Sequence, residues 1–281
     1  MMHFQSRATG GTALDPARPR DRAGPLNPRI TDWQGRRVWI VGASSGIGEA
    51  LAVTLAARGA RLALSARRAE VLEALSTRLA TETLALALDV TDPRSVRVAR
   101  DAIVARWGAI DLVVWLAGDY RPMRADSFDL EVARRLIEIN LLSAYHALDV
   151  LLPCFAEQGY GGIALVSSVA GYRGLPEALA YGPGKAGLIN LAESLHLDLH
   201  PRGIGVWLID PGFVETPLTA QNTFRMPGLI SAAAAAEEII AGFAKGGFEM
   251  HFPRRFTRWM KLLRVLPERL YFRAVRAATG G

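Results

Sequence analysis

The sequence predicts an α/β protein: one doubly wound, Rossmann-like parallel sheet of about seven strands, with helices on both faces, in a single domain. Three observations carry that prediction. Short apolar, β-branched runs alternate with helical segments along most of the chain. The runs are almost continuously apolar, as expected of parallel strands buried on both faces, whose connections cross right-handedly. The first run, Arg37–Val41 (RVWIV), breaks into the turn Gly42-Ala43-Ser44-Ser45-Gly46-Ile47-Gly48 and leads straight into a segment of helical spacing. Taken in order, residues 1–32 are rich in Arg, Pro, Gly, Asp and Thr without periodicity, and are expected to form a disordered or loosely attached leader. Order is expected from Trp33, with a body over 33–252. Strands are expected at Arg37–Val41, Arg61–Ser65, Thr83–Leu88, Asp111–Leu116, Gly162–Ser167, Gly205–Ile209 and Phe248–His251. Between them, helices are expected at Gly46–Arg58, Ala69–Ala80, Pro93–Trp107, Phe128–Phe155, Tyr181–His200 and Ala232–Ala244. Ligands of such sheets sit beyond the carboxyl ends of the strands.

Two groups of residues at those ends carry chemistry. Glycines in the turn Gly42–Gly48 let backbone approach a pyrophosphate, whose charge meets the free amides and positive end of the following helix. Further along, Tyr181 and Lys185 stand four residues apart at the start of a helix, and Ser168 lies thirteen residues before Tyr181 at the end of an apolar strand. A phenol titrates near ~10 in water, so an ammonium one turn away, favouring the phenolate, is the simplest way to activate it. Lysine is rare here: Lys185, Lys245 and Lys261 are the only ones, beside thirty arginines.

Together these residues resemble the short-chain dehydrogenase/reductase family, from about Gly35 to His251. The matched set is Gly42, Gly46 and Gly48; Asp89-Val90; Ala117-Gly118; Asn140, Ser168, Tyr181 and Lys185; and Pro211-Gly212 with Val214 and Thr216. The resemblance implies reversible hydride transfer between a nicotinamide cofactor and a carbonyl or secondary alcohol. Tyr181 is then the general acid or base, Ser168 the partner of the substrate oxygen, and Lys185 the holder of the nicotinamide ribose. Asn140 would bend its helix and position a water, Asp89 and Val90 would meet the adenine, and Val214 and Thr216 the carboxamide. In NAD-using members an acidic residue stands where this chain has Ala66, followed by Arg67 and Arg68. A missing carboxylate and an arginine fork suit a 2′-phosphate, so NADP(H) is expected over NAD(H), with Ser44 or Ser45 adding a hydroxyl contact. The competing function is a non-catalytic NADP(H) sensor or scaffold on the same fold. A homodimer or homotetramer is implied by the resemblance. Three departures stand out: Val41 in place of threonine, Trp115-Leu116 in place of Asn-Asn, and the Gly-Pro-Gly inside Tyr181-Gly182-Pro183-Gly184-Lys185. The first two remove both members of a polar contact, which is close to neutral. Proline is tolerated in a first helical turn.

Composition narrows the remaining possibilities. The chain has 281 residues, half of them hydrophobic, enough for one large core. A lone cysteine, Cys154, excludes an intrachain disulfide and fits a reducing, cytoplasmic setting. No segment is expected to span a membrane. His196 and His200 have metal-compatible spacing but no evident third ligand, so no metal is expected. The net charge of +6 is concentrated at the ends: residues 38–251 hold eighteen bases against twenty-three acids, and 252–281 hold eight bases against Glu268. The acidic body and the absence of a recognition motif argue against nucleic acid. An apolar substrate wall is expected from Leu218, Phe224, Met226, Leu229 and Ile230, with Tyr120, Tyr172, Leu175 and Phe213 nearby, and implies a lipophilic substrate. The extension 253–281 reads as two basic amphipathic helices broken at Pro267. They suit either peripheral attachment to an anionic membrane, at its inner face, or docking on the body or a partner subunit.

Overall fold

The computed structural model describes residues 24–222, 224 and 226–279. Seven strands form one parallel sheet in the order β3-β2-β1-β4-β5-β6-β7. They are β1 (Arg37–Val41), β2 (Arg61–Ala66), β3 (Thr83–Ala87), β4 (Leu112–Trp115), β5 (Gly162–Val166), β6 (Gly205–Pro211) and β7 (Glu249–Phe252). Every neighbouring pair is parallel. The strand order reverses at β1, which pairs with both β2 and β4, and a crevice therefore opens beyond the carboxyl end of β1.

Alternation along β1 shows how the sheet divides two cores. Val38 and Ile40 pack under α1 (Gly46–Ala56), α2 (Ala69–Arg78) and α7 (Ala232–Lys245), whereas Trp39 and Val41 face α3 (Pro93–Trp107), α5 (Ser143–Gln158) and α6 (Tyr181–Leu199). All four residues are fully buried. The two departures on the strand ends are satisfied within the second layer. Trp115 contacts Trp39 edge-on at 6.3 Å and donates its indole N–H to Ser143 Oγ at 3.1 Å, and Trp39 donates to Ser65 Oγ at 2.9 Å. Apolar bulk with two tethered indoles occupies the place of the polar strand-to-strand contact.

The long helical segment expected over 128–155 is observed as α4 (Leu130–Ile137), a π-helical turn at Glu138–Leu142, and α5. Asp129 caps α4, accepting from the amides of Glu131 and Val132 at 2.9 and 3.0 Å. Leu130–Gln158 is long and apolar enough to span a bilayer, by length and composition alone. Its apolar side is spent on the core, against α3 and α6, with 56% of its most apolar window buried.

One expectation about the ends is corrected. The leader was expected to run to residue 32, yet Asn27 is buried, donating to the Val206 carbonyl at 2.6 Å and accepting from the Val206 amide at 2.9 Å. The Ile30 backbone amide donates to the Phe243 carbonyl at 3.0 Å, so the chain is attached to β6 and α7 from six residues before Trp33; residues 1–23 of the leader lie outside the described residues. A side-chain amide that replaces a missing ladder partner leaves no periodic signature. At the other end, α8 (Arg254–Val265) and α9 (Glu268–Thr279) form the two expected helices. Their inner faces pack on the body: Thr257 and Tyr271 are buried, and Tyr271 donates its hydroxyl proton to the Gly174 carbonyl. Arg173 stacks on the Tyr271 ring at 4.0 Å and donates to the Leu266 carbonyl at 2.7 Å, holding the junction of the two helices.

Candidate active site

One cleft of about 1310 Å³ runs along the carboxyl ends of the strands. It exceeds the ~300–1,000 Å³ of ordinary ligand pockets, leaving room for a dinucleotide beside a second molecule. Every residue proposed above for catalysis or cofactor binding lines it, except Asn140, which sits immediately behind the wall formed by Glu138 and Ile139.

At one end the glycine turn joins β1 to α1. Gly42 has φ of +99°, and a Cβ there would stand 3.0 Å from the Leu116 carbonyl carbon. At Gly48 a Cβ would overlap the Gly42 carbonyl oxygen, and at Gly46 it would meet Thr216 Cγ2 at 2.7 Å. These positions bring the start of α1 hard against the strand end. Ser45, the residue preceding the helix, makes no side-chain capping bond, so the first amides of α1 face the cleft without a side-chain competitor. A pyrophosphate fits this cradle by the chemistry of its donors. Arg68 reaches over the turn, its Nη2 3.3 Å from Ser44 Oγ. Asp89 accepts from the Thr91 amide and hydroxyl at 2.9 and 2.8 Å; these bonds, with the Arg67 charge assisting, hold its carboxyl below the usual range.

The middle of the cleft is built where β4, the π-helical turn and α6 converge. Asn140, 1% exposed, donates to the carbonyls of Leu136 at 2.9 Å and Asp119 at 2.7 Å, and accepts from the Asp119 amide at 3.3 Å. The helix widens at this residue because its side chain satisfies backbone on both sides of the turn. Gly118 is the meeting point: a Cβ there would lie 3.1 Å from Asn140 Oδ1 and 3.3 Å from Lys185 Nζ. Gly184 of the tyrosine motif and Gly187 just beyond it have the same origin. At Gly184 a Cβ would be 3.2 Å from that of Asn140, and at Gly187 it would be 2.7 Å from the Leu141 side chain, so small residues let α6 cross the widened helix closely. Pro183 falls in the first turn of α6.

Tyr181 opens α6 and packs edge-on to Tyr120 at 5.1 Å. Lys185 is 4% exposed; its Nζ lies 5.6 Å from the Tyr181 ring centre and donates to the Val166 carbonyl at 3.0 Å. Ser168 accepts from the Ala170 amide at 3.1 Å and faces the phenol. The electrostatics correct one expectation. The sequence predicts a phenol made acidic by Lys185, but burial pushes Tyr181 up to about 12, with the Ser168 hydroxyl only partly offsetting it. Burial likewise pushes the Lys185 amine down to about 8. Desolvation dominates both shifts, and the two groups do not touch.

At the other end, Pro211 closes β6 and Gly212, Val214 and Thr216 follow it, with Val214 bridged to Ile230 and the Gly212 amide bonded to the Phe252 carbonyl at 2.7 Å. The apolar wall is partly as expected: Tyr120, Leu175, Phe213, Leu218 and Phe224 line the cleft. Met226, Leu229 and Ile230 do not; Ile230 turns into the core beneath the sheet. Tyr172 also turns away, donating to Glu249 Oε1 at 2.6 Å. Their places are taken by the C-terminal helices, which sequence reasoning did not bring to the cleft: Phe256, Met260 and Leu263 of α8, and Val275 and Ala278 of α9. The only signal for this was the apolar stripe of the tail, which does not say what it faces.

Behind the site lies a partly buried charge network. Lys261 of α8 donates to Glu249 Oε2 at 2.6 Å, opposite the Tyr172 bond. Burial raises Glu249, but those two bonds outweigh it and leave the carboxylate below its usual range. Asp210, fully buried with no hydrogen-bond partner of good geometry for either oxygen, is pushed well above that range by burial and by the Glu249 charge. Its field reaches both Tyr181 and Lys185.

Known proteins place this geometry. The chain is 36% identical over 244 residues to an uncharacterized oxidoreductase of Myxococcus xanthus, covering 86% of this chain and 96% of that protein. It is 35% identical over 188 residues to the 3-oxoacyl-[acyl-carrier-protein] reductase of Escherichia coli, covering 67% and 77%. Among solved structures, a short chain dehydrogenase/reductase from Burkholderia phymatum in complex with NAD superposes with a TM-score of 0.76 at 22% identity, covering 83% of this chain and 94% of that one, a likeness of fold. The profile of the short chain dehydrogenase family matches residues 36–226, from the first strand to the loop beyond β6. With the glycine cradle, the Asn140 turn and the Tyr181–Lys185 helix gathered on one cleft, the chain belongs to the short-chain dehydrogenase family, oxidoreductases that work with a nicotinamide cofactor.

Proposed function

We propose that this protein interconverts a lipophilic carbonyl compound and its secondary alcohol, using NADP(H). One observation carries the reading: the Tyr181 hydroxyl and the Ser168 hydroxyl face each other in a cleft that continues, past Gly118 and Lys185, to the glycine cradle. The cofactor, when bound, supplies or accepts the hydride. The chain's own residues hold and move the proton. Tyr181 delivers it to the carbonyl oxygen in reduction or removes it from the alcohol in oxidation, and Ser168 orients that oxygen. A phenol pushed up to about 12 is protonated at neutral pH, which suits the donor role in reduction. Lys185, anchored on Val166 and Ser167, keeps its ammonium beside Gly118, where it can hold a ribose.

Support for NADP(H) comes from the second strand end. Ala66 carries no carboxylate to repel a 2′-phosphate, and Arg67 and Arg68 line the cleft there, with Arg68 beside Ser44. Support for a lipophilic substrate comes from the aromatic and aliphatic wall of Phe213, Phe224, Phe256 and Met260.

The test is oxidation of NADPH and NADH, measured separately, with carbonyl compounds of graded size and polarity. NADPH is expected to be preferred at least tenfold in kcat/KM, and Tyr181→Phe to lower kcat by 10²-fold or more while NADPH affinity stays within a few-fold. NADH preference refutes the arginine reading. Turnover that survives in Tyr181→Phe refutes the proton role, and NADPH binding without turnover of any carbonyl points to a sensor.

A further inference from the structure

We propose that the outer face of α8 and α9 is a docking surface for an anionic lipid bilayer. The inner face of each helix is committed to the body: Thr257 and Tyr271 are buried, and Phe256, Met260, Leu263 and Val275 wall the cleft. The helical repeat leaves the other sides to solvent. On α8 that side carries Arg254, Arg255, Arg258, Trp259, Leu262 and Val265; on α9 it carries Arg269, Phe272, Arg273 and Arg276. Trp259 is 67% exposed, Val265 74% and Phe272 56%, large fractions for residues of this kind. Among the described residues none of these arginines makes an ion pair. The only cation of the two helices that does is Lys261, on the inner side.

Docking on the body thus explains one face of the extension and leaves the other without a partner among the described residues. Arginines interleaved with tryptophan, phenylalanine and aliphatic residues suit the interface of an anionic bilayer, where guanidinium groups meet headgroups and the apolar side chains enter the acyl boundary. Two other occupants fit less well. A symmetric pairing with a second copy would set these arginines against each other. A nucleic-acid backbone would match the arginines but gives Leu262, Val265 and Phe272 nothing to enter. The placement also has a consequence for the proposed chemistry. A bilayer on the outer face is one helix diameter, ~10 Å, from the apolar end of the cleft, so a substrate dissolved in the membrane has a short path. Docking itself does not depend on that reading.

Tryptophan fluorescence offers a direct test, because Trp33, Trp39, Trp107, Trp115 and Trp207 are all buried and only Trp259 is exposed. Full-length protein is mixed with vesicles of phosphatidylcholine alone or containing phosphatidylglycerol, and pelleting and emission are read together. Expected are pelleting and a blue shift with the anionic vesicles only, both reversed by high salt. Arg255→Glu/Arg258→Glu/Arg273→Glu should weaken partitioning at least tenfold, and Trp259→Ser/Phe272→Ser should do the same without changing net charge. All of these side chains are exposed, so melting temperatures check that both variants are folded. Absence of pelleting, or equal pelleting of wild type and variants, overturns the proposal. So does a lipid-free oligomer that the charge-reversed variant dissolves, or binding to duplex DNA that matches binding to vesicles and ignores the loss of Trp259 and Phe272. No enzymatic readout enters, so an inactive protein that docks refutes the proposed function and not this one.

Discussion

Replacing Lys185 by Met should change how the stability of this protein depends on pH, in a direction and by an amount that the site dictates. The amine is 4% exposed, and burial pushes it from its ordinary 10.5 down to about 8, with the Asp210 charge acting in the opposite sense. At about 1.36 kcal/mol per pH unit, that gap means the charged lysine opposes folding by about 3 kcal/mol at pH 7. Between pH 8 and 10.5 the folded protein binds fewer protons than the unfolded chain, so wild-type stability rises with pH through that window; below pH 8 the whole penalty is present. Methionine has no proton to release, and its curve lacks the rise. Losses that do not titrate, such as the 3.0 Å bond to the Val166 carbonyl, displace the variant's curve without tilting it. Urea unfolding followed by intrinsic fluorescence, repeated at pH 7 and 9.5, should show wild type gaining about 2 kcal/mol on Lys185→Met between the two. Parallel curves would refute the argument that desolvation sets the charge of this lysine.

Two further outcomes follow from the same geometry. Gly48→Ala should abolish detectable NADPH binding by titration calorimetry and lower the melting temperature by several degrees, since the new methyl overlaps the Gly42 carbonyl and forces α1 away from the cradle; near-normal affinity would show that the turn yields. Asp210→Asn should flatten the pH profile on the acid side. A carboxyl raised above its ordinary 3.8 binds its proton more tightly when folded, so wild type loses stability as pH climbs from about 4 towards the raised value, and the amide does not. Thermal melts at pH 5 and 8 check this, and an equal change in the two proteins sinks it.

The strands, the glycine cradle and the two tail helices were legible in the sequence because each is written in local chemistry. An apolar β-branched run, a glycine at positive φ and a 3.6-residue stripe need only neighbouring residues to declare themselves. The motif residues were legible as a set, since Gly42, Asn140, Ser168, Tyr181 and Lys185 fall at the carboxyl ends of strands or on the helices that follow. What each group does there was decided by packing. Whether Lys185 sharpens the acidity of Tyr181 depends on burial, which no spacing encodes, and burial won. Tyr172 lies between Ser168 and Tyr181 in sequence, yet Glu249 draws it away from the cleft. Asn27, in a stretch without periodicity, is held by β6 through a side chain that mimics a strand. The tail stripe announced an apolar face and a basic face, but only the tertiary structure turned the first onto the cleft and left the second to solvent, because an amphipathic pattern records that a surface will be covered and not what covers it.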